Sequence, residues 1–362
     1  MNIKIKYLSL LILVFTSSIY WGCTEKLDLG QFPLTNTGNP VTASDTSYVQ
    51  QFPVWNQFNG PSDIIVGKEP LIYVADTKSN SVIQLDLSGV EIGRITVSRP
   101  IALTQDNNFD LLVVGDTVLT STNDTISVVY RIKLASIGGV ISNGSLIRLY
   151  SSDAPTPLTS RKRKFSGICT YPDNSYIISR RGPDNLSSLD PDNAMIKLKG
   201  RESITSAEVL TGFQVSGNGV FSIDKVSSVW AVGNNNFDFA ITRNTPESGF
   251  KTQWFEYDLT NGGYNPKFLP EQNTDILNKA LGLPEDITMD PNKNIFIVDE
   301  AKDSLYKFNS SGKLLRETFG GTGDGENKLK SPKGVAFFNK VLYIADTGNN
   351  RVVRYKLSTD LN

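Results

Sequence analysis

The strongest constraint on this 362-residue chain is that its C-terminal part writes one unit twice. Pro284-Glu285-Asp286-Ile287 leads into Ile295-Phe296-Ile297-Val298-Asp299. Pro332-Lys333-Gly334-Val335 then leads into Leu342-Tyr343-Ile344-Ala345-Asp346, with the prolines 48 positions apart and the aspartates 47. Within each unit, short runs carry apolar side chains at alternate positions, which is strand periodicity. Gly, Asn, Asp and Pro fall between the runs, where tight turns need a positive or a preset φ. A helical period is not sustained, and one short helix is expected within 275–281.

Weaker copies start at Pro61, Pro100, Phe165 and Gly219, each followed by an apolar run ending near Asp76, Asp116, Arg180 and Asn234. Six starts spaced in this way are the mark of propeller blades. The expected fold is all-β, a six-bladed β-propeller of four-stranded antiparallel blades. The last unit has room for only three strands. Tyr48-Val49-Gln50-Gln51-Phe52 precedes Pro61 as Leu315-Arg316-Glu317-Thr318-Phe319 precedes Pro332. The N-terminal strand is therefore expected to close the last blade, which removes an open edge and makes 48–362 one domain.

These units resemble NHL repeats. Ala345-Asp346-Thr347-Gly348-Asn349-Asn350-Arg351-Val352 follows the family pattern, and Val74-Ala75-Asp76-Thr77-Lys78-Ser79-Asn80-Ser81-Val82 follows it with the Gly and Arg replaced. The resemblance is faint through the middle of the chain. It implies a six-bladed propeller.

The first residues read differently. Lys4 and Lys6 precede an apolar run over 7–15, and Gly22-Cys23 follows small polar residues. That is a signal-peptide layout, too short in its apolar part for a bilayer crossing of about 20 residues. The Gly-Cys junction resembles a bacterial lipobox, which implies cleavage after residue 22 and lipid on Cys23. Residues 23–47, rich in Thr, Asn, Asp, Ser and Gly, read as a flexible tether. Thr24 in place of Asp implies the outer membrane. With Cys23 lipidated, Cys169 has no disulfide partner and is expected to be a buried, inert thiol.

Charge is balanced at 36 basic and 37 acidic residues, unlike a basic nucleic-acid binder, so no nucleic-acid partner is expected. Histidine is absent, which excludes His-based triads, Cys–His pairs and imidazole metal sites. Carboxylates, Lys, Tyr or a hard cation on oxygen ligands remain. The starts of the innermost strands should line the channel: Asp63, Ile101, Gly167, Gly219, Asp286 and Gly334, with Asn218 and Glu285 adjacent. Resemblance to lactonase-type propellers implies calcium there, with Asp63, Glu285 and Asp286 as the candidate ligands. A second ring, Asp76, Asp116, Arg180, Asn234, Asp299 and Asp346, reads as turn-fixing. Asp290 opens no calcium loop, because Ile295 stands where Gly is needed and Ala301 where Glu is needed. The Gly-rich run at 320–325 lacks the Lys-Ser/Thr of a phosphate cradle.

One cluster stands out. Arg161, Lys162, Arg163 and Lys164 precede the third blade's inner strand, and Arg180 and Arg181 end its second. Both should emerge on one face of the disc, with Arg99 on the preceding blade. Longer loops at 117–124, 182–193 and 235–250 should extend from that face, with Phe237, Phe239 and Phe250 adding apolar contact. The expectation is a non-catalytic lipoprotein, anchored in the membrane, that binds an envelope protein or acidic glycan through one face of the disc and carries no cofactor. The alternative is a calcium-dependent hydrolase with its site in the channel.

Overall fold

The end of the chain pairs with its beginning. Strand β24 (Arg351–Leu357) lies antiparallel to β1 (Tyr48–Trp55), with Tyr48 opposite Leu357 and Trp55 opposite Val352. Tyr48 is buried against Phe296 and Phe319, so the joint is packed as well as hydrogen-bonded. The N-terminal strand thus covers the edge that β24 would otherwise expose.

The structure is a computed structural model that describes residues 46–153, 162–183, 185–187, 189–233, 237–247 and 249–361. The chain divides into two units. The first, Met1–Thr42, lies outside the described residues, and so do the expected signal peptide, Cys23 and all of the tether but Thr46 and Ser47. The second holds six four-stranded antiparallel sheets arranged as the blades of a propeller.

From the innermost strand outward, blade one is β2 (Pro61–Val66), β3 (Ile72–Asp76), β4 (Ser81–Leu85) and β5 (Glu91–Thr96). Blade two is β6 (Ala102–Gln105), β7 (Asp110–Val118), β8 (Thr125–Lys133) and β9 (Ile147–Ser151). Blade three is β10 (Lys164–Thr170), β11 (Tyr176–Arg181), β12 (Ala194–Lys199) and β13 (Ser206–Val209). Blade four is β14 (Val226–Ala231), β15 (Phe239–Arg243), β16 (Thr252–Asp258) and β17 (Gly263–Pro266). Blade five is β18 (Pro284–Met289), β19 (Ile295–Asp299), β20 (Ser304–Phe308) and β21 (Phe319–Gly320). Blade six is β22 (Gly334–Phe338), β23 (Val341–Asp346), β24 and β1. The short helix falls at α1 (Asp275–Asn278).

Blade four corrects the sequence expectation. Val226–Ala231 is its innermost strand, and the second is Phe239–Arg243. Gly219 and Asn218 sit instead in a loop that folds back on itself through the Gln214–Ser222 bridge. The aliphatic run ending at Gly233 imitates the close of a second strand, and Ser227 and Ser228 mask the apolar run of an inner one. Phe239 is correspondingly fully buried in the core rather than presented by a loop. Phe237 and Phe250 are half-buried against the core clusters.

Every inner strand carries the same irregularity near its start, where two of its residues oppose one on the second strand. The register shifts between Pro61 and Asp63, Phe165 and Gly167, Val226 and Ser228, and Pro284 and Asp286. Ile101 and Lys333 share Val114 and Ala345 with their neighbours in the same way. Such a bulge re-aims a side chain. Its residues, Ser62, Ile101, Ser166, Ser227, Glu285 and Lys333, stand at one mouth of the channel, here called the upper mouth.

Side chains then join the blades. Ser62 and Thr77 donate to the Pro100 carbonyl, Ser166 to that of Val226, Ser227 to that of Pro284, and Thr347 to that of Pro61. Thr170 donates to the Gln105 carbonyl between blades two and three. Apolar clusters fill the wedges between blades, as where Ile64, Val74 and Ile83 meet Tyr343 and Val352.

Candidate functional site

The channel opens into two cavities that share Asp63, Ala102, Ser228 and Asp286 at its waist. Asp63 accepts the N–H of Ile64 at 2.7 Å and that of Leu103, on the next blade, at 2.6 Å. Asp286 accepts from Ile287 N–H at 2.8 Å, Ser228 O–H at 2.6 Å and Val335 N–H at 2.7 Å, tying blades four, five and six together. Burial pushes the Asp63 carboxyl well above the usual range, with Asp286 adding repulsion and the two amides opposing. Burial likewise pushes Asp286 up to about 6, against its three donors.

These carboxylates are latches with their oxygens already supplied by donors, a setting that does not fit a calcium ion, which takes six to eight oxygen ligands. Glu285, the third ligand considered, is engaged elsewhere. Among the described residues no group of three or more acidic or Cys side chains converges as a metal site.

The lower cavity holds about 270 Å³, between the ends of the inner strands, with Lys68, Thr104, Thr170 and Trp230 among its walls. The upper one, about 410 Å³, gathers most of the titratable groups. The bulge residues form one of its rings. The other consists of residues at or just past the ends of second strands: Thr77, Arg181, Asn244, Glu300 and Thr347. Lys78 and Arg99 stand at its rim.

On one wall Glu285 and Glu300 both lie against Lys333. Burial pushes Glu285 up to about 7, and its hydrogen bond to Glu300 adds to this, while Lys333 and Arg181 oppose it. Burial also acts upward on Glu300, but the bond from Glu285 and the charge of Lys333 outweigh it and hold that carboxyl below the ordinary range. Lys333 lies 3.5 Å from Glu285 and 3.1 Å from Glu300, and Asn244 donates to Glu285. The wall is therefore close to neutral and rich in hydrogen-bonding groups.

Arg181 stands apart, half-buried and lining the same cavity. Among the described residues its guanidinium takes no hydrogen bond or ion pair. Burial pushes its pKa down, with the Glu285 charge opposing and Arg99 adding repulsion.

The other cations of the expected basic sector divide. Lys164 lies opposite Arg181 across β10 and β11, so the two segments do share a face. Arg163 and Arg180, however, are 3% and 2% exposed and turn inward. Arg163 binds Asp192 at 2.6 Å and Asp190 at 2.8 Å, and Arg180 binds Asp190 at 2.8 Å and the Asp192 and Pro191 carbonyls. Both fasten the 182–193 loop to the blade, because a buried guanidinium needs carboxylate partners. Lys162 is exposed, Lys164 reaches the Thr125 carbonyl, and Arg99 is held by Asp116 at 2.5 Å. Arg161 lies outside the described residues.

The second ring departs from the turn-fixing expectation: only Asp299 accepts a backbone N–H from the turn after it, that of Lys302, whereas Asp116 pairs with Arg99 and the other aspartates hold the loop that leads into the inner strand. Asp76 accepts from Asn59 N–H, Asp299 from Gly282 and Leu283 N–H, and Asp346 from Lys330 N–H and Arg351. Asn234 lies outside the described residues, and Arg243 ends the second strand of blade four. Asn244, Glu300 and Lys333 escaped sequence reasoning, although each is a direct chain neighbour of a position that was weighed or of its true counterpart.

The protein is thus a six-bladed β-propeller with a polar, cation-bearing cavity at one mouth of its channel. No family model matches the chain, and no curated protein matches it. Solved structures match the fold. An auxiliary nutrient binding protein from Bacteroides thetaiotaomicron is 12% identical over 83% of this chain and 69% of its own, with a TM-score of 0.57. Its namesake from Bacteroides ovatus is 11% identical over 86% and 77%, with a TM-score of 0.56. A gluconolactonase from Xanthomonas campestris is 10% identical over 88% and 93%, with a TM-score of 0.58. Identities this low speak for the fold alone.

Proposed function

We propose that this protein is a non-catalytic, NHL-type binding propeller, tethered to the outer membrane by lipid on Cys23, that captures an acidic glycan at the upper mouth. The observation that carries this reading is the cavity of about 410 Å³ into which Arg181 brings a cation that takes no hydrogen-bond or ion-pair partner among the described residues. Lys78 and Lys162, both exposed, give the surrounding face positive charge, which favours an acidic partner. The nutrient-binding names of two fold neighbours agree with a role in capture.

Topology fixes where the chain enters the propeller. β1 runs from Tyr48, opposite Leu357, towards Trp55, opposite Val352, and Val352 lies at the upper end beside Ala345. The chain therefore enters the propeller at the lower face.

The test is binding of the full-length lipidated protein, in detergent, to an array of acidic and neutral glycans. Selective retention of acidic glycans, lost at about 1 M salt, is expected. Indifference to glycan charge would end this reading. Capture of a fixed envelope protein instead, after crosslinking in membranes, would replace the glycan by a protein partner. Calcium retained stoichiometrically through dialysis would favour the hydrolase alternative.

A further inference from the structure

The upper cavity also restricts which part of an acidic glycan can enter, an inference that rests on the binding role just proposed. None of its described lining side chains is aromatic, and Ile101 and Ala102 are its main apolar members. Nothing there stacks on a nucleobase or solvates a lipid chain, so the ligand must be held by polar contacts. A cavity of about 410 Å³ lies near the low end of the roughly 300–1,000 Å³ of small-ligand sites. It accommodates one end of a saccharide and not a length of chain laid across the disc.

The charges narrow the class further. Arg99 is neutralised by Asp116, and Lys333 by the Glu285–Glu300 pair. Lys78 is solvated at the rim. Among the described lining residues one half-buried guanidinium without an ion-pair partner remains, that of Arg181, and it matches a group of single negative charge whose geometry takes a planar fork. A phosphate dianion would require a second free cation inside the cavity. Two blades further round, the Glu285–Glu300 pair supplies carboxyl oxygens of the kind that accept hydroxyl hydrogens, and Asn244 donates to Glu285 beside them.

We infer that the upper mouth recognises, end-on, a sugar bearing a carboxylate: Arg181 seats the carboxylate, and Glu285, Glu300 and Asn244 read hydroxyls on the same ring. Arg181 is then the specificity-determining residue, and the charges outside the cavity serve for approach.

Calorimetric titration of the full-length protein in detergent tests this with glucuronate, galacturonate and iduronate, glucose and galactose as neutral counterparts, and polygalacturonate as a polymer. At least one free uronate should bind at one site per chain, ~10- to 100-fold more tightly than its neutral counterpart, the range for a charge-assisted hydrogen-bonded pair. Arg181→Ala should remove that preference, Arg181→Lys should restore part of it, and Lys313→Ala, at an exposed lysine away from the cavity, should leave it unchanged. Arg181 has no protein partner among the described residues to orphan, so an unchanged melting temperature should accompany the loss. Uronate binding unaffected by Arg181→Ala overturns the inference. Polymer binding with every monomer inert overturns it too, but leaves the wider docking role standing. Failure of all acidic saccharides overturns both.

Discussion

Replacing Asp286 by Ala should destabilise the propeller more in acid than in base, the reverse of the usual behaviour of a hydrogen-bonded carboxylate. The side chain satisfies Ser228 O–H, Val335 N–H and Ile287 N–H, and two of these donors belong to neighbouring blades. Each donor left buried and unpaired costs about 1–3 kcal/mol, so removing a neutral carboxyl should cost about 3–5 kcal/mol in all. Ionisation works the other way. Burial raises this carboxyl from an ordinary 3.8 to about 6, so the folded state binds the proton more tightly than the unfolded state. The contribution is therefore full below about pH 4 and is lost as pH rises through about 6. At 1.36 kcal/mol per pH unit, the loss above that window is about 3 kcal/mol. The cost of Asp286→Ala should thus fall from about 3–5 kcal/mol near pH 3.5 to about 0–2 kcal/mol near pH 8. Urea unfolding of both proteins at the two pH values measures this, and subtraction removes most of the contribution of other titrating groups. An equal cost at both pH values would refute the reasoning, as would a larger one at pH 8, which would mean that the donors outweigh desolvation.

Other outcomes are equally specific. Arg131 is buried with Asp106 and Asp110; Arg131→Met should cost about 3–5 kcal/mol, because two carboxylates lose their buried counter-charge, and a melting temperature unchanged from the wild type would contradict this. Deleting residues 1–56 uncovers β24 and should yield oligomers in light scattering; a monodisperse monomer would show that the closing strand protects nothing. The Cys169 thiol, pushed up to about 12 by burial, should resist alkylation near pH 8 until the protein is unfolded, and rapid labelling of the native state would argue against its place in the core.

Much of this architecture can be read from spacing. Alternating apolar runs and turn residues at a repeating interval imply blades, because each four-stranded unit buries its faces only against its neighbours. The pairing of 48–52 with the last blade follows from counting strands. Reading failed in blade four, where Ser227 and Ser228 interrupt the apolar pattern of an inner strand. They do so because Ser227 is a bulge residue and Ser228 donates to Asp286.

Arg99, Arg181 and Glu285 were singled out in the sequence and line the upper mouth, but other members of the site lie one position from the residues weighed. Asp63, Asp286, Asp299 and Asp346 are latches, while Ser62, Glu285, Glu300 and Thr347 beside them line the upper mouth. A shift of one residue along a strand exchanges its two faces, and the recurrent bulge, which no local composition announces, sets which face meets the cavity. Arg163, Arg180 and Arg181 look alike in the chain. Two are consumed by Asp190 and Asp192 from a loop that returns to cover them, and the third forms no ion pair among the described residues. Periodicity is local and therefore written residue by residue, so blade number and closure are legible in it. Which charge stays uncompensated depends on partners brought together by folding, and no reading of neighbours along the chain can supply that.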